Sequence, residues 1–479
     1  MDTARHEAAV VSPGVDDDPT AAVNRWVIGP MTALNRDILA GREPPDAFPA
    51  MVQHAVGPLL DTPERYGPRD TCQLLVLLGL VGAGLGRHFQ ERHPAHRATP
   101  ERAFDVGVGV GVEPIGFLEY FHRLAEHSGT GHPHRDTYAS LTRWNLPPSE
   151  AWWGGARLAV LPGVFDDGAL RTYTAAVDEV RFFELIKLSE TFERAVNLAV
   201  GPLADGSVDL LGAEALHRLG VAALLLEGMR KLNADFAALP PAEGLSAGHF
   251  MDVFRQFAVH WRPGDVPPSG ALDPEALERD LVLGTEAPGF REHLHRMGPG
   301  LLPAERDRLA AVADVPALTE LVLQRCDPED GLAQATQTQL RMLVGRFPVL
   351  AALHLVLQAN ARMSGVHLML SKRYLFNPQR ARDRSGYGDP GVVSNRRGTT
   401  GMDETALEHL TRVRQHHPLV ALRGLPTAEL EVLTGLAALR ADAPGDLSAA
   451  VGFDGTSALR QRPTADDLTG PARPAEGAP

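Results

Sequence analysis

Residues Phe347–Tyr374, FPVLAALHLVLQANARMSGVHLMLSKRY, repeat apolar side chains at three- and four-residue spacing for about eight helical turns. A strand buried on one face would alternate with a period of two, and this stretch does not. The same spacing begins upstream, near Leu332, and runs to Phe376, so Pro348 predicts two helices divided or kinked at that point.

The reading extends outward along the chain. Leu74–Phe89, Phe117–Ala125, Val180–Val200, Ala213–Phe236, Phe250–Trp261 and Leu318–Leu323 show the same spacing, with Pro and Gly clusters between them. No run of alternating strands and no internal repeat is present, so the expected fold class is all-α. Leu146-Pro147-Pro148 suggests a boundary between a small N-terminal helical region (21–147) and a larger helical domain (148–440). Residues 1–20 are rich in Asp and Pro, and residues 441–479 in Pro, Gly, Ala and Asp; both are expected to be mostly disordered.

Val106–Val112, VGVGVGV, superficially suggests a dinucleotide-binding loop. Counting from Gly107, GxGxxG needs glycine where Val112 stands; counting from Gly109, it needs glycine at Pro114. A tight packing turn ahead of a helix is the better expectation.

The 479 residues are 44% hydrophobic and 22% charged, a soluble globular composition, and can bury a sizeable core. A formal net charge of −14 disfavours nucleic acid or an anionic membrane as partner. The longest apolar run, Leu74–Leu85, reads as a buried helix too short to span a bilayer. The polar, acidic N-terminus lacks the regions of a signal peptide, and only Cys72 and Cys326 occur, outside any CxxC pattern. A cytoplasmic location is expected.

His367 is the chemically suggestive residue of the opening stretch. Ser364 and Ser371 share its face one turn to either side, and Gly365 thins the helix beside it. An axial haem ligand needs such space, because an upright imidazole must meet a broad flat ring. A core histidine hydrogen-bonded in a helix–helix contact fits the same pattern. His354 would be the rival ligand. His127, His132 and His134, in HSGTGHPH, are dense enough to ligate a metal but read more simply as a solvated loop.

Ser364–Leu375, SGVHLMLSKRYL, followed by RGTTGMDETALEHLTRVR at 397–414, resembles the C-terminal signature of the indoleamine 2,3-dioxygenases. In that family the proximal haem histidine precedes a basic–Tyr pair and a glycine- and threonine-rich loop. Lys372-Arg373-Tyr374 and Gly398-Thr399-Thr400-Gly401 stand at the matching places, with Thr400 where the family has its second glycine. Phe290–Leu309, His249–Trp261 (HFMDVFRQFAVHW) and Val180–Glu190 (VRFFELIKLSE) are similar to further segments of the family in the same order. A sister branch, monodechloroaminopyrrolnitrin synthase, is matched more closely at Arg171–Asp178 and from Leu281–Gly284 into FREHLHRMGPGLLPAERDR. The resemblance spans roughly 145–420.

The resemblance implies haem b, with His367 as its iron ligand and Arg362, Tyr374 and Gly398 beside it. The family's arginine three residues before the histidine is Ser364 here, which is why Arg362 is considered. It also implies dioxygen, a tryptophan-like small molecule and an unidentified electron donor as partners. Arg255 would clamp the substrate carboxylate unless it pairs with Asp252 at the surface. Phe182 and Phe250 would pack against the indole unless they are ordinary core, with Phe183 expected in the core. Arg255 and Phe250 are the catalytic candidates. Thr399 would bond the substrate ammonium or a propionate, unless the loop is a plain helix start with Thr400 as N-cap.

The implied activity is oxidative opening of the indole 2,3-double bond. A haem-dependent rearrangement of a modified, for instance chlorinated, tryptophan is the alternative enzyme reading, and a haem-binding sensor without turnover the non-enzymatic one. Ile186 stands where the dioxygenases present a serine, so no side-chain base is expected there.

Overall fold

The helix Pro68–Arg92 forms the axis of the N-terminal half, with proline in its first turn, where no backbone N–H is needed. Its buried glycines let neighbours approach closely. A Cβ on Gly82 would lie 2.3 Å from Trp261, and one on Gly84 would lie 2.4 Å from Phe48. Around this axis Trp26, Phe48, Phe104, Phe117, Phe121 and Trp261 form one aromatic-rich core. Among the described residues this is the one unbroken helix long and apolar enough to cross a membrane, yet 83% of its apolar window is buried inside the protein. It is a core helix, as the run Leu74–Leu85 suggested.

The computed structural model describes residues 18–109, 114–326, 332–399 and 401–453. About 66% of the chain is helical and 4% is strand, so the class is all-α. In the C-terminal half, Ala213–Ala238 packs between Val177–Ala204 on one side and Pro348–Ser371 on the other. The middle helix is buried on nearly all faces, which explains why its sequence lacks a polar stripe. The chain turns by 107° between Gln337–Arg346 and the helix opening at Pro348, as the proline predicted.

The two halves interlock. Phe165, Tyr173, Phe183, Phe257 and Trp261 all insert into the N-terminal core. Lys187 is buried, and its Nζ donates to the carbonyls of Arg143, Leu146 and Pro162 at 2.7–2.9 Å. These bonds tie the Val177–Ala204 helix to the chain on either side of the 147/148 boundary.

Four sequence expectations need correction. Phe250–Trp261 is not one helix: Ala247–Asp252 ends at Val253, Phe254–Phe257 is a 3₁₀ turn, and Trp261 lies beyond both. Two small sheets exist where none was foreseen. Gly107–Val108 pairs antiparallel with Ile115–Gly116, so the VGVGVGV stretch enters a hairpin, and 110–113 lie outside the described residues. Ser149–Trp153 is the centre of the second sheet, flanked by Ala156–Leu161 and Val451–Phe453. The third strand belongs to the stretch from 441 expected to lack order; its described part, to Phe453, folds. The lead-in 1–20 lies outside the described residues up to 17, and a helix starts at Pro19.

Candidate active site

The Pro348–Ser371 helix presents His367 to a cavity of about 680 Å³, the size of a small-molecule or cofactor pocket. The imidazole has accessible surface, but protein surrounds it, so that surface belongs to the cavity wall. Its ring makes no hydrogen bond among the described residues. Burial, and then the cations Arg414 and Arg279, push its pKa down to about 4, so the ring is neutral with a lone pair available. Ser364 and Ser371 turn their hydroxyls back onto Asn360 O (3.0 Å) and His367 O (3.1 Å), and Ser364 Oγ also accepts from Arg414 Nη1 at 2.7 Å. His354 points elsewhere: its ring packs against His417 at 5.3 Å in the hydrophobic core, outside the cavity.

Four phenylalanines build one wall. Phe182 meets Phe250 and Phe254 edge-on at 5.3 and 5.1 Å, and Phe183 meets Phe254 at 5.2 Å. All four line the cavity, Phe183 while also belonging to the N-terminal core. Phe254 was not anticipated, although it follows Phe250 at i+4.

Arg255 lines the same cavity and is 4% exposed. Its Nη1 donates to Asn395 Oδ1 (3.1 Å) and its Nη2 to Arg397 O (2.7 Å), both neutral acceptors. Asp252 is not its partner, because that carboxylate pairs with Arg382. Burial lowers the guanidinium's pKa to about 10, with distant Asp389 opposing, so it remains charged at neutral pH. A buried cation without a carboxylate suits an anionic ligand.

The glycine loop reaches the cavity through Gly398, Thr399 and Gly401. Gly398 N donates to Met402 O (2.7 Å), Gly401 takes φ +85°, and Thr399 Oγ1 bonds Pro268 O at 3.4 Å. Thr400 lies outside the described residues; the cap of the following helix is Asp403, which accepts from Ala406 N at 2.9 Å. Tyr374 also lines the cavity, edge-on to Phe236 at 6.2 Å.

Arg362 does not belong to the site. Five residues before His367 is about 140° away on the helix, and the side chain is exposed, donating to Gln358 Oε1 at 2.8 Å. Lys372 pairs with Glu404 and Glu408, and Arg373 donates to Ala237 O, also away from the cavity. The arginines that line it are Arg255, Arg279, Arg296 and Arg414. Arg279 pairs with Glu193 and Arg414 with Asp280; Arg296 has no carboxylate partner among the described residues and donates to His293 Nδ1 (2.8 Å).

Sequence reasoning missed an acidic part of the wall, formed by Tyr138, Glu193 and Asp273. Tyr138 OH donates to Asp273 Oδ2 (3.2 Å), with Glu190 behind it at 3.4 Å and Arg143 paired to Glu190. Burial first, and then repulsion from Glu193, hold the Asp273 carboxyl far above the usual range. Burial likewise lifts Glu190 to about 8 despite Arg143. Asp273 Oδ1 accepts the N–H groups of Glu275 and Ala276 at the start of helix Pro274–Leu283, which leaves Oδ2 to accept from Tyr138 OH. Ile186 does line the cavity, and one turn later so does Ser189, whose Oγ accepts from Asn233 at 3.1 Å.

No family model matches the chain, and no curated protein is significantly similar to it.

Proposed function

We propose that this cavity holds haem b and that the protein oxidises tryptophan or a related indole amino acid. The observation that carries the reading is His367: a neutral imidazole, free of hydrogen bonds, facing a cavity that also contains a buried arginine without a carboxylate. Haem, once bound, would supply the iron centre that activates dioxygen, with electrons from a separate donor.

The chain's own residues would do the rest. His367 ligates, Ser364 and Ser371 leave it room, and Gly398 allows close approach of the loop. Phe182, Phe250 and Phe254 exclude water and hold a flat apolar ring. Arg255 takes a carboxylate, and Arg296 offers a second site for an anion such as a propionate. Thr399 stands where it can bond a substrate ammonium. Asp273 Oδ2 accepts from Tyr138 OH and makes that part of the wall polar.

Ile186 on the cavity wall favours keeping a second product in view. With no side-chain base at that position, a rearranged modified tryptophan suits the cavity as well as ring opening does. Two free cysteines accord with a reducing cytoplasm, where we place the protein.

The test is an absorption spectrum of haem-reconstituted protein beside His367→Ala, followed by anaerobic reduction and addition of dioxygen with tryptophan. A haem spectrum lost in the variant and N-formylkynurenine from the wild type are expected. An unchanged spectrum in His367→Ala overturns the ligand assignment. A different indole-derived product selects the rearrangement, and an inert complex leaves a haem-binding sensor.

A further inference from the structure

A second cluster of donor side chains lies away from the cavity. His122 and Glu126 are four residues apart on the helix Phe117–His127 and therefore share a face. The loop that follows returns His134 to that face. The Nδ1 atoms of His122 and His134 are 2.8 Å apart, and Glu126 Oε1 lies 3.4 Å from His122 Nε2. One donor atom from each residue falls within 4.8 Å of the other two.

The loop is held on both sides of His134. Arg262 Nη1 donates to the His134 carbonyl at 2.9 Å. His132 is buried, its ring fixed between Pro133 O (2.7 Å) and Thr137 Oγ1 (3.1 Å). Arg135 is buried against Asp136 and Asp265. His134 is thus carried on a rigid backbone while its ring stays at the surface. His127, its neighbour in the histidine-rich stretch, turns away to Tyr66 O at 3.0 Å. The stretch is therefore not a three-histidine site: it runs as a loop with His134 at the surface, as expected, but buries His132. It lends one ligand to a helix that supplies two.

We propose that His122, Glu126 and His134 bind one divalent transition-metal ion of the zinc or copper class. Two imidazoles and a carboxylate are the donors such ions take, and too few oxygens are present for calcium or magnesium. Ligand atoms stand about 2.0–2.2 Å from zinc, so no two are more than about 4.4 Å apart. The present arrangement closes onto an ion by small side-chain rotations. The two ring nitrogens in contact can share only one proton between them; an ion accepts both lone pairs. Water completes a four-coordinate shell. An ion here pins the 128–134 loop to the helix, independently of whatever occupies the cavity.

Calorimetric titration of the full-length, tag-free chain with Zn²⁺ tests this, run on haem-free and haem-reconstituted protein alike. We expect one equivalent in both preparations, no heat with Ca²⁺, and at least tenfold weaker binding in His134→Ala and Glu126→Ala. Zinc should raise the melting temperature of the wild type and not of His134→Ala. Both side chains are at the surface, so the variants fold, and circular dichroism verifies it. Wild-type affinity retained in His134→Ala, or no stoichiometric zinc uptake by the wild type, overturns the site. Because haem-free protein is one arm, a failure of haem binding leaves this result readable.

Discussion

Arg255 Nη1 donates to Asn395 Oδ1 at 3.1 Å, so a buried guanidinium on the cavity wall is met by an amide and a backbone carbonyl instead of a carboxylate. An anionic ligand would complete its surroundings. Arg255→Lys keeps the charge but loses the planar fork. Charge-assisted bonds of this kind contribute about 1.5–3 kcal/mol, so tryptophan affinity should fall roughly 10- to 100-fold. Indole, which lacks the carboxylate, should bind as before. Equal losses for both ligands, read by spectral titration, would separate Arg255 from carboxylate recognition.

Arg362→Ala should be silent in haem affinity and within about 0.5 kcal/mol in stability, as expected of an exposed side chain without a structural role. Arg296→Ala should weaken haem binding, because Arg296 lines the cavity without a carboxylate partner among the described residues. Haem-transfer measurements on the two variants decide it. The reverse order would mean that the anion-binding side of the cavity has been misidentified.

That contrast shows what the sequence made legible. Helical periodicity located the long helices and His367, and the resemblance to the indoleamine 2,3-dioxygenases brought forward Arg255, Phe182, Phe250 and Thr399; all five line one cavity. Arg362 failed because nearness in sequence is not nearness on a helix face. The predicted helix Phe250–Trp261 failed at Val253. There Arg255 and Gln256 turn aside to bond Arg397 O, Asn395 and Val393, so tertiary hydrogen bonds overrode an apolar pattern. Tyr138, Glu193 and Asp273 come from three distant segments, and only the fold makes them neighbours.

Close helix packing predicts opposite outcomes for two glycines. Gly82→Ala puts a methyl group 2.3 Å from the buried Trp261 ring, which overpacking should make destabilising by about 1–3 kcal/mol. Gly345, in the exposed helix Gln337–Arg346, has nothing within 4 Å of an added Cβ. Gly345→Ala should therefore stabilise by up to about 1 kcal/mol. Urea denaturation should move the two midpoints in opposite directions; a stable Gly82→Ala would mean that Trp261 is not packed on that helix.

Acid should loosen the core through its buried histidines. Burial, and then nearby positive charge, hold His354 down to about 4, and His88 and His417 down to about 3. The unfolded chain takes up these protons near pH 6.5. Between about pH 6.5 and 4 it therefore binds more protons than the fold, and stability falls as pH drops. Glu190, lifted to about 8, acts oppositely, its contribution being lost as pH rises from about 4.5 to 8. The histidine effect is thus best isolated by difference. His417→Phe should flatten the stability–pH curve below 6.5, and an unchanged slope would show that His417 titrates normally.

Two aspartates seven residues apart, Asp273 and Asp280, should respond differently to the same substitution. Burial and the neighbouring Glu193 disfavour a charge on Asp273, so a neutral asparagine suits the site: its amide oxygen can still cap the Pro274–Leu283 helix by accepting from Glu275 and Ala276. Asp273→Asn should cost less than about 1 kcal/mol at neutral pH. Asp280 instead pairs with buried Arg414, which also donates to Ser364 Oγ at 2.7 Å beside the His367 helix. Asp280→Asn strands that guanidinium without its counter-charge, a loss of about 3–5 kcal/mol for a buried pair. Equal destabilisation of the two variants in urea would show that the fold does not disfavour a charge on Asp273.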